Sequence, residues 1–171
     1  MKKPLIVKQT PYGDGVFANK EFKKGELITR MKGKTYTWDS APIESDNQNN
    51  HFLQIGKDLY LGPSGFLDDK INHSCEPNSA IYIKNGKVNL FAIKDIPLGE
   101  QISFDYSITA HEREHDHWQM ECLCESKNCR KIVKDFIYLP TEIKREYIKL
   151  GLVPQYILED TELILSRRQS I

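Results

Sequence analysis

One polar segment constrains the fold of this chain more than any other: Asn72-His73-Ser74-Cys75-Glu76-Pro77-Asn78. Asn and Ser side chains bond to their own backbone and proline lacks a backbone N–H, so the segment is poor material for a helix or a strand. It is therefore predicted to be a shaped polar loop, the kind of segment that carries functional residues on a rigid scaffold. Cys75 argues against an ordinary surface turn, because a free cysteine is usually buried or used.

Length and charge limit the class of protein. With 171 residues the chain is about one domain, large enough to form a core without disulfides. Its 24 basic residues balance 24 acidic residues, so we expect no direct nucleic-acid binding. The first apolar run is too short for a signal peptide, and no run approaches the ~20 apolar residues of a membrane span. The sequence predicts a cytoplasmic protein with no membrane partner.

The four cysteines suggest a metal site, since thiols and metal ligands are more common than disulfides in cytosolic proteins. Cys122, Cys124 and Cys129 form a C-x-C-x-x-x-x-C cluster, and Cys75 is the only other thiol. Zinc prefers four ligands, so one all-cysteine site would use every thiol. Two alternatives are four free thiols or a fourth ligand from the histidines His111, His115 and His117.

Short β signals dominate up to residue 106. The clearest is a hairpin over residues 80–92, because Asn85-Gly86 supplies the positive φ angles of a type I′ turn. A further strand is predicted over residues 101–106, and residues 32–50 are predicted to form a loop or irregular insert.

The carboxyl-terminal part changes to a helical pattern. Thr141 is predicted to cap a helix whose apolar face carries Ile143, Tyr147 and Leu150, with Gly151 at its end. We expect this tail to be a helical appendage packed on the β body, and it is also a candidate surface for self-association.

Three segments, in this order, resemble the SET-domain family of protein-lysine methyltransferases. They are the G-x-G of residues 13–15, the N-H-S-C-x-P-N of residues 72–78 and the G-E-x-(I/L)-(S/T)-F-D-Y of residues 99–106. The cysteine cluster at 122–129 is similar to the post-SET module of that family.

The resemblance, which covers residues 5–135, implies a mainly β fold with short helices. Several small sheets would be joined by a pseudoknot-like carboxyl-terminal part, with the helical tail outside the resemblance. The implied division is a SET domain over 1–110, a post-SET zinc segment over 111–135 and a helical appendage over 136–171.

The resemblance also implies a function: transfer of methyl groups from S-adenosylmethionine to the side-chain amine of a lysine in a protein or peptide, such as a histone or histone-like protein. A histone substrate would place the protein in the nucleus or on host chromatin. The implied cofactor contacts are Gly13, Asp14, Gly15, Val16, Asn72, His73 and Leu123. One structural zinc would be bound by Cys75, Cys122, Cys124 and Cys129.

Two aromatic residues at the end of the third motif carry the implied chemistry. Methyl transfer is an in-line displacement, so positioning supplies much of the acceleration. The amine must be neutral, although a free lysine has a pKa of about 10.4, and an aromatic channel favours the neutral form by desolvation. Tyr106 is expected to wall that channel and orient the amine, while Asp105 anchors its strand. Phe104, at the family's Phe/Tyr switch, leaves room for products beyond monomethyl-lysine.

Other features leave the substrate open. The segment 66–71 lacks the Arg-Phe pair that many members have before the loop. Phe52 is a candidate for the channel wall, and Tyr60 is equally well a channel or a core residue. The alternatives to an enzyme are a SET-like module that binds peptides without turnover and a zinc-stabilised interaction protein.

Overall fold

The computed structural model describes residues 3–42, 52–111 and 118–160. Within these ranges the backbone forms twelve strands in five sheets of two or three strands, which confirms the mainly β fold. The strands are β1 Leu5–Thr10, β2 Gly13–Ala18, β3 Leu27–Arg30, β4 Thr35–Tyr36, β5 Leu53–Gly56, β6 Leu59–Leu61, β7 Asn72–His73, β8 Ser79–Lys84, β9 Lys87–Ala92, β10 Ser103–Phe104, β11 Gln119–Glu121 and β12 Ile132–Lys134.

Helical structure is short and concentrated after the sheets. Single 3-10 turns cover Trp38–Ser40, Leu67–Lys70, Tyr106–Ile108 and Phe136–Tyr138, and one α-helix, α1, covers Thr141–Lys149. Residues 155–160 are also helical. No helix in the described part of the chain is both long and apolar enough to cross a bilayer. Two of the histidines considered as metal ligands, His115 and His117, and residues 43–50 of the predicted loop lie outside the described residues.

The predicted hairpin is confirmed as β8 and β9. Asn85 and Gly86 have φ angles of 51° and 69°, as a type I′ turn requires. β9 also pairs with β3, and Ile81 pairs with Leu90 across the hairpin, where both side chains are almost fully buried. This three-stranded sheet forms one wall of the main hydrophobic core.

The polar loop encloses β10 between its two ends. Its first residues form β7, which pairs in parallel with β10, with Asn72 opposite Ser103. Near its other end, the Asn78 side chain donates to the Gln101 carbonyl at 2.8 Å and accepts from the Ser103 N–H at 3.0 Å. The prediction of a loop throughout is therefore corrected for its first two residues, because β10 supplies backbone partners that local sequence does not show.

The strand predicted over 101–106 is shorter than expected. Only β10 is strand, Gln101 makes an isolated bridge with Phe17, and Tyr106 begins a 3-10 turn. The Asp105 side chain accepts from the Ser107 N–H at 3.0 Å and so caps that turn. A short polar side chain thereby gives the backbone an alternative to the strand ladder.

The tail packs on the β body, as expected. The predicted cap is wrong by one residue: Thr141 is already helical, and the extended residue before it is Pro140. Gly151, with φ of 66°, follows the helix end as predicted, whereas Leu150 at that end is exposed. The tail shares a second core with the β8–β9 sheet and the 3-10 turn Tyr106–Ile108, formed by Ala80, Ile108, Phe136, Leu139, Tyr147, Leu152, Val153, Tyr156 and Ile157.

Candidate active site and metal centre

The glycine segment and the polar loop are packed directly against each other. A Cβ on Gly15 would lie 2.6 Å from Gln101 Nε2 and 3.3 Å from Asn72 Nδ2, so any other residue there would require these side chains to move. Asn72 Nδ2 also donates to the Asp14 carbonyl at 3.0 Å. The missing Cβ of Gly15 thus admits side chains of the protein itself. At Gly13 the reason for glycine is different, because its φ of 107° is strained for any other residue.

The other residues expected at the cofactor lie around this junction. The Asp14 carboxylate contacts the side chains of Gln9 and Lys70. Val16 is fully buried in the main core, so its side chain does not reach the surface of the site. Across the junction, the Tyr12 hydroxyl donates to the Glu125 carboxylate, which joins the β1–β2 turn to the cysteine segment. Leu123 lies in that segment and is 48% exposed.

Tyr106 is held at both its backbone and its ring. Its N–H donates to His73 Nδ1 at 3.1 Å, and its hydroxyl donates to the Ile71 carbonyl at 2.8 Å. Its ring centroid lies 4.8 Å from that of Phe104, which is itself buried in the main core. Burial raises the pKa of the Tyr106 phenol, so it is neutral at physiological pH and can orient groups by hydrogen bonding without acting as a base.

Next to Tyr106, the fully buried Asp105 carboxylate accepts from three parts of the chain. Arg130 donates to it through both terminal nitrogens, at 2.6 and 2.7 Å. The Ser107 N–H donates from the 3-10 turn Tyr106–Ile108, and the Tyr147 hydroxyl donates from α1 at 2.9 Å. Burial acts to lower the pKa of Arg130, but the hydrogen bonds from Arg130 to Asp105 outweigh burial and raise that pKa. The expectation that Asp105 anchors this segment agrees with these contacts.

Sequence reasoning missed Arg130 and the polar role of Tyr147. Arg130 directly follows the last cysteine, which could have signalled a contact near the cluster, but nothing in the sequence pairs it with Asp105. Tyr147 was expected only as part of an apolar helix face. Both contacts join residues 25 and 42 positions apart, respectively.

The structure brings the four cysteines together. Cys75 Sγ lies 3.6 Å from Cys122 Sγ, and the Cys75 N–H lies 3.5 Å from Cys124 Sγ. Cys129 packs in the same cluster, with its Sγ 3.6 Å from the Cys122 carbonyl. Two thiolates at about 2.3 Å from one zinc ion would be spaced like Cys75 and Cys122, so this pair fits that metal, whereas Cys129 is not among the ligand atoms that lie within 4.8 Å of one another.

His73 is an unpredicted member of this cluster. One ligand atom each from His73, Cys75, Cys122 and Cys124 lie within 4.8 Å of one another. His73 Nε2 is 3.3 Å from Cys75 Sγ, while its Nδ1 accepts from Tyr106. A neutral imidazole that accepts at Nδ1 carries its proton on Nε2, so His73 is placed to donate a hydrogen bond to the Cys75 sulfur. His111, an alternative ligand by sequence, instead lies 2.9 Å from Asp160.

Burial and hydrogen bonding shift the pKa values of the clustered side chains in different directions. Burial raises the pKa of Cys75 to about 11 and also raises that of Cys122. Burial also acts to raise the pKa of Cys124, but hydrogen bonds from the Cys75 N–H and Ser126 outweigh burial and lower this pKa to about 6. Burial lowers the pKa of His73 to about 4.

Phe52 and Tyr60, the two candidates for the channel wall, pack against aromatic rings other than those of Phe104 and Tyr106. Phe52 packs edge-on against Tyr36 with centroids 5.5 Å apart, and Tyr60 packs against Trp38 at 5.6 Å. Tyr60 is buried, as its alternative interpretation as a core residue expected. These contacts stabilise the β4–β6–β5 sheet.

Comparison with known proteins decides the family. The model of the SET domain family matches residues 13–107, which include the glycine segment, the polar loop and Tyr106. The chain belongs to the SET-domain family.

Two curated relatives and one solved structure show how far the similarity extends. The variant-silencing SET domain-containing protein of Plasmodium falciparum (isolate 3D7) is 35% identical over 144 residues, covering 74% of this chain and 6% of that protein. The H3 lysine-9 specific histone-lysine N-methyltransferase KMT1 of Fusarium mangiferae is 33% identical over 170 residues, covering 76% of this chain and 48% of that protein. The chain therefore spans less than half the length of either relative.

The solved structure shares the fold. It is a crystal structure of KRYPTONITE in complex with mCHH DNA, an H3(1-15) peptide and SAH, with a TM-score of 0.60 and 20% identity. The match covers 78% of this chain and 30% of that one.

The Asp105–Arg130 pair generates a stability prediction. Arg130→Ala leaves a buried carboxylate without its main partner and should lower the free energy of unfolding by about 3–5 kcal/mol, measured by urea denaturation of zinc-loaded protein. The exposed Lys127→Ala is the control and should change stability by less than about 0.5 kcal/mol. Adding Asp105→Asn to Arg130→Ala should recover part of the loss; a loss equal to the sum of the two single variants would contradict direct coupling.

Proposed function

We propose that this chain transfers methyl groups from S-adenosylmethionine to the side-chain amine of a lysine in a protein substrate. The observation that carries the proposal is the junction where the glycine segment (13–15), the polar loop (72–78) and the segment ending at Tyr106 meet. Asn72 of β7 donates to the Asp14 carbonyl, and His73 of the same strand accepts from the Tyr106 N–H. The SET-domain family and histone methyltransferase relatives support the same reaction.

The proposed cofactor site lies at this junction. Gly13, Asp14 and Gly15 would contact the cofactor through their backbone atoms, and the buried Val16 would hold their strand in place. Asn72, His73 and Leu123 would lie around these residues. When bound, S-adenosylmethionine supplies an electrophilic methyl group on a sulfonium. The SAH in the KRYPTONITE complex supports a cofactor of this type.

Tyr106 is proposed to orient the substrate amine. Its hydroxyl proton is committed to the Ile71 carbonyl, so its oxygen keeps lone pairs that can accept an amine N–H. The buried rings of Phe104 and Tyr106 offer a poorly solvated surface, which favours the neutral amine that can attack a methyl group. Positioning of this kind needs no ionised tyrosine.

We propose that Cys75, Cys122, Cys124 and Cys129 bind one structural zinc ion. The geometry that favours Cys129 over His73 as fourth ligand is the occupied Nδ1 of His73, which leaves a proton on the nitrogen facing Cys75. His73 would then stabilise the Cys75 thiolate by donating to it.

The proposed substrate is a lysine in a histone or histone-like protein, which would place the protein at chromatin. The similarity to an H3 lysine-9 specific histone methyltransferase and the H3 peptide in the KRYPTONITE complex support this choice. That complex also contains DNA, so the expected lack of nucleic-acid binding stays a prediction. We also propose the division into SET domain (1–110), post-SET zinc segment (111–135) and helical appendage (136–171).

The reaction is tested by incubating zinc-loaded protein with labelled S-adenosylmethionine and a panel of histones. Tyr106→Phe should lower kcat by about 100-fold or more, because the amine loses its acceptor. Tyr82→Phe is the matched control, since Tyr82 lies on the hairpin and contacts Phe91, and it should keep full activity. Cofactor affinity, measured by calorimetry, should be unchanged in both variants.

Two results would oppose the enzymatic proposal. Undiminished activity in Tyr106→Phe would remove Tyr106 from its role. A folded wild-type protein that binds histone peptides without any affinity for S-adenosylmethionine would indicate a binding module.

The degree of methylation depends on Phe104. The wild-type protein should yield dimethyl- or trimethyl-lysine by mass spectrometry, because Phe104 leaves space near the amine. Phe104→Tyr adds a hydroxyl there and should shift the product to monomethyl-lysine. Phe91→Tyr, on the hairpin, should keep the wild-type product pattern. Monomethylation alone by the wild type at long times would overturn the inference.

The zinc ligands can be separated by metal content. Wild-type protein should carry one zinc per chain, and Cys129→Ser should lose it on desalting against a chelator. His73→Gln should keep one zinc with an affinity weaker by about 10–100-fold, as expected for a residue that orients a ligand. Zinc loss in His73→Gln together with full retention in Cys129→Ser would assign the fourth position to His73.

A further inference from the structure

A buried hydroxyl of the helical tail contacts Asp105, which caps the 3-10 turn Tyr106–Ile108. Because this turn begins with the proposed catalytic residue Tyr106, it is called the catalytic turn below. Tyr147 lies on α1 with 7% of its surface exposed, and its hydroxyl donates to Asp105 Oδ2 at 2.9 Å. Asp105 lies between Phe104 and Tyr106, the two residues that carry the proposed chemistry. A shift of its carboxylate is therefore transmitted directly to the Tyr106 backbone.

This hydroxyl does more than complete a hydrophobic core. A phenylalanine would fill the same place in the second core, yet the tyrosine brings a donor to a buried charge. Hydrogen bonds to an ionised acceptor are shorter and stronger than neutral ones. Arg130 already engages both oxygens of Asp105, and the Ser107 N–H also binds Oδ1. Tyr147 adds a partner on Oδ2 and so fixes the orientation of the carboxylate.

The tail also holds the other end of the same turn. The Tyr156 hydroxyl lies 2.7 Å from the Thr109 carbonyl and 3.1 Å from the Gln54 carbonyl of β5. Thr109 in turn donates from its N–H to the Tyr106 carbonyl at 3.2 Å. Two tyrosines of one tail therefore contact the chain just before and just after the catalytic turn.

We infer that Tyr147 is a positioning residue for Tyr106, acting through Asp105, and that residues 136–160 belong to the scaffold of the active site. This inference rests on the proposed methyl transfer. The retained Arg130 pair keeps Asp105 partnered when the Tyr147 hydroxyl is removed, so the variant should remain folded and its kinetics can be measured.

Steady-state kinetics give the first test. Tyr147→Phe should lower kcat by about tenfold, while KM for peptide and cofactor should change by less than about twofold, because only the placement of Tyr106 is altered. Tyr138→Phe makes the same substitution at an exposed position of the same tail and should leave both parameters unchanged. In a Tyr106→Phe background, Tyr147→Phe should cause no further loss, since both changes act on one group.

Hydrogen exchange gives a second readout that does not require activity. The Ser107 and Thr109 N–H groups bond within the catalytic turn, so their exchange should be about tenfold faster in Tyr147→Phe and unchanged in Tyr138→Phe. Wild-type exchange and wild-type kcat in Tyr147→Phe would overturn the inference, even if its melting temperature fell. If the wild type proved inactive, the proposed function would fail, and exchange alone would still decide whether Tyr147 orders the turn.

Discussion

The buried carboxylate of Asp105 is the point where the parts of this structure meet. A charge with no exposed surface is costly unless it is paired and hydrogen-bonded, and here four donors surround it. They come from the 3-10 turn Tyr106–Ile108, from Arg130 after the cysteine cluster and from Tyr147 on the tail helix. Because these donors bind the same carboxylate, they hold three segments distant in sequence next to one another.

The cysteine cluster is connected to the 3-10 turn Tyr106–Ile108 and its cap Asp105 by two separate contacts. The Arg130 N–H donates to Cys75 Sγ at 3.3 Å while its side chain binds Asp105. His73 lies between Cys75 and the Tyr106 N–H and contacts both. The sulfur atoms and the 3-10 turn Tyr106–Ile108 are therefore joined through Arg130 and His73, so the proposed zinc ion would have a structural influence on the proposed site.

Local sequence predicted the parts of the fold that depend on neighbouring residues. The Asn85-Gly86 turn was placed correctly, because its backbone angles follow from residue type alone. The strand leading to Tyr106 was overextended and the helix cap misplaced, because Asp105 caps a turn and Pro140 takes the position before the helix. His73 was expected at the cofactor, and its side chain proved to lie against the Cys75 sulfur, a partner that only three-dimensional packing reveals.

The sequence by itself determined the family motifs, the hairpin and the cluster of Cys122, Cys124 and Cys129, since each follows from residue types at short spacing. The tertiary structure alone decided that Arg130 and Tyr147 share one carboxylate and that Gly15 makes room for Asn72. Such contacts join residues tens of positions apart, and no local propensity encodes them. For Asp105, burying the charge is costly unless hydrogen-bond donors satisfy it, and those donors come from several segments.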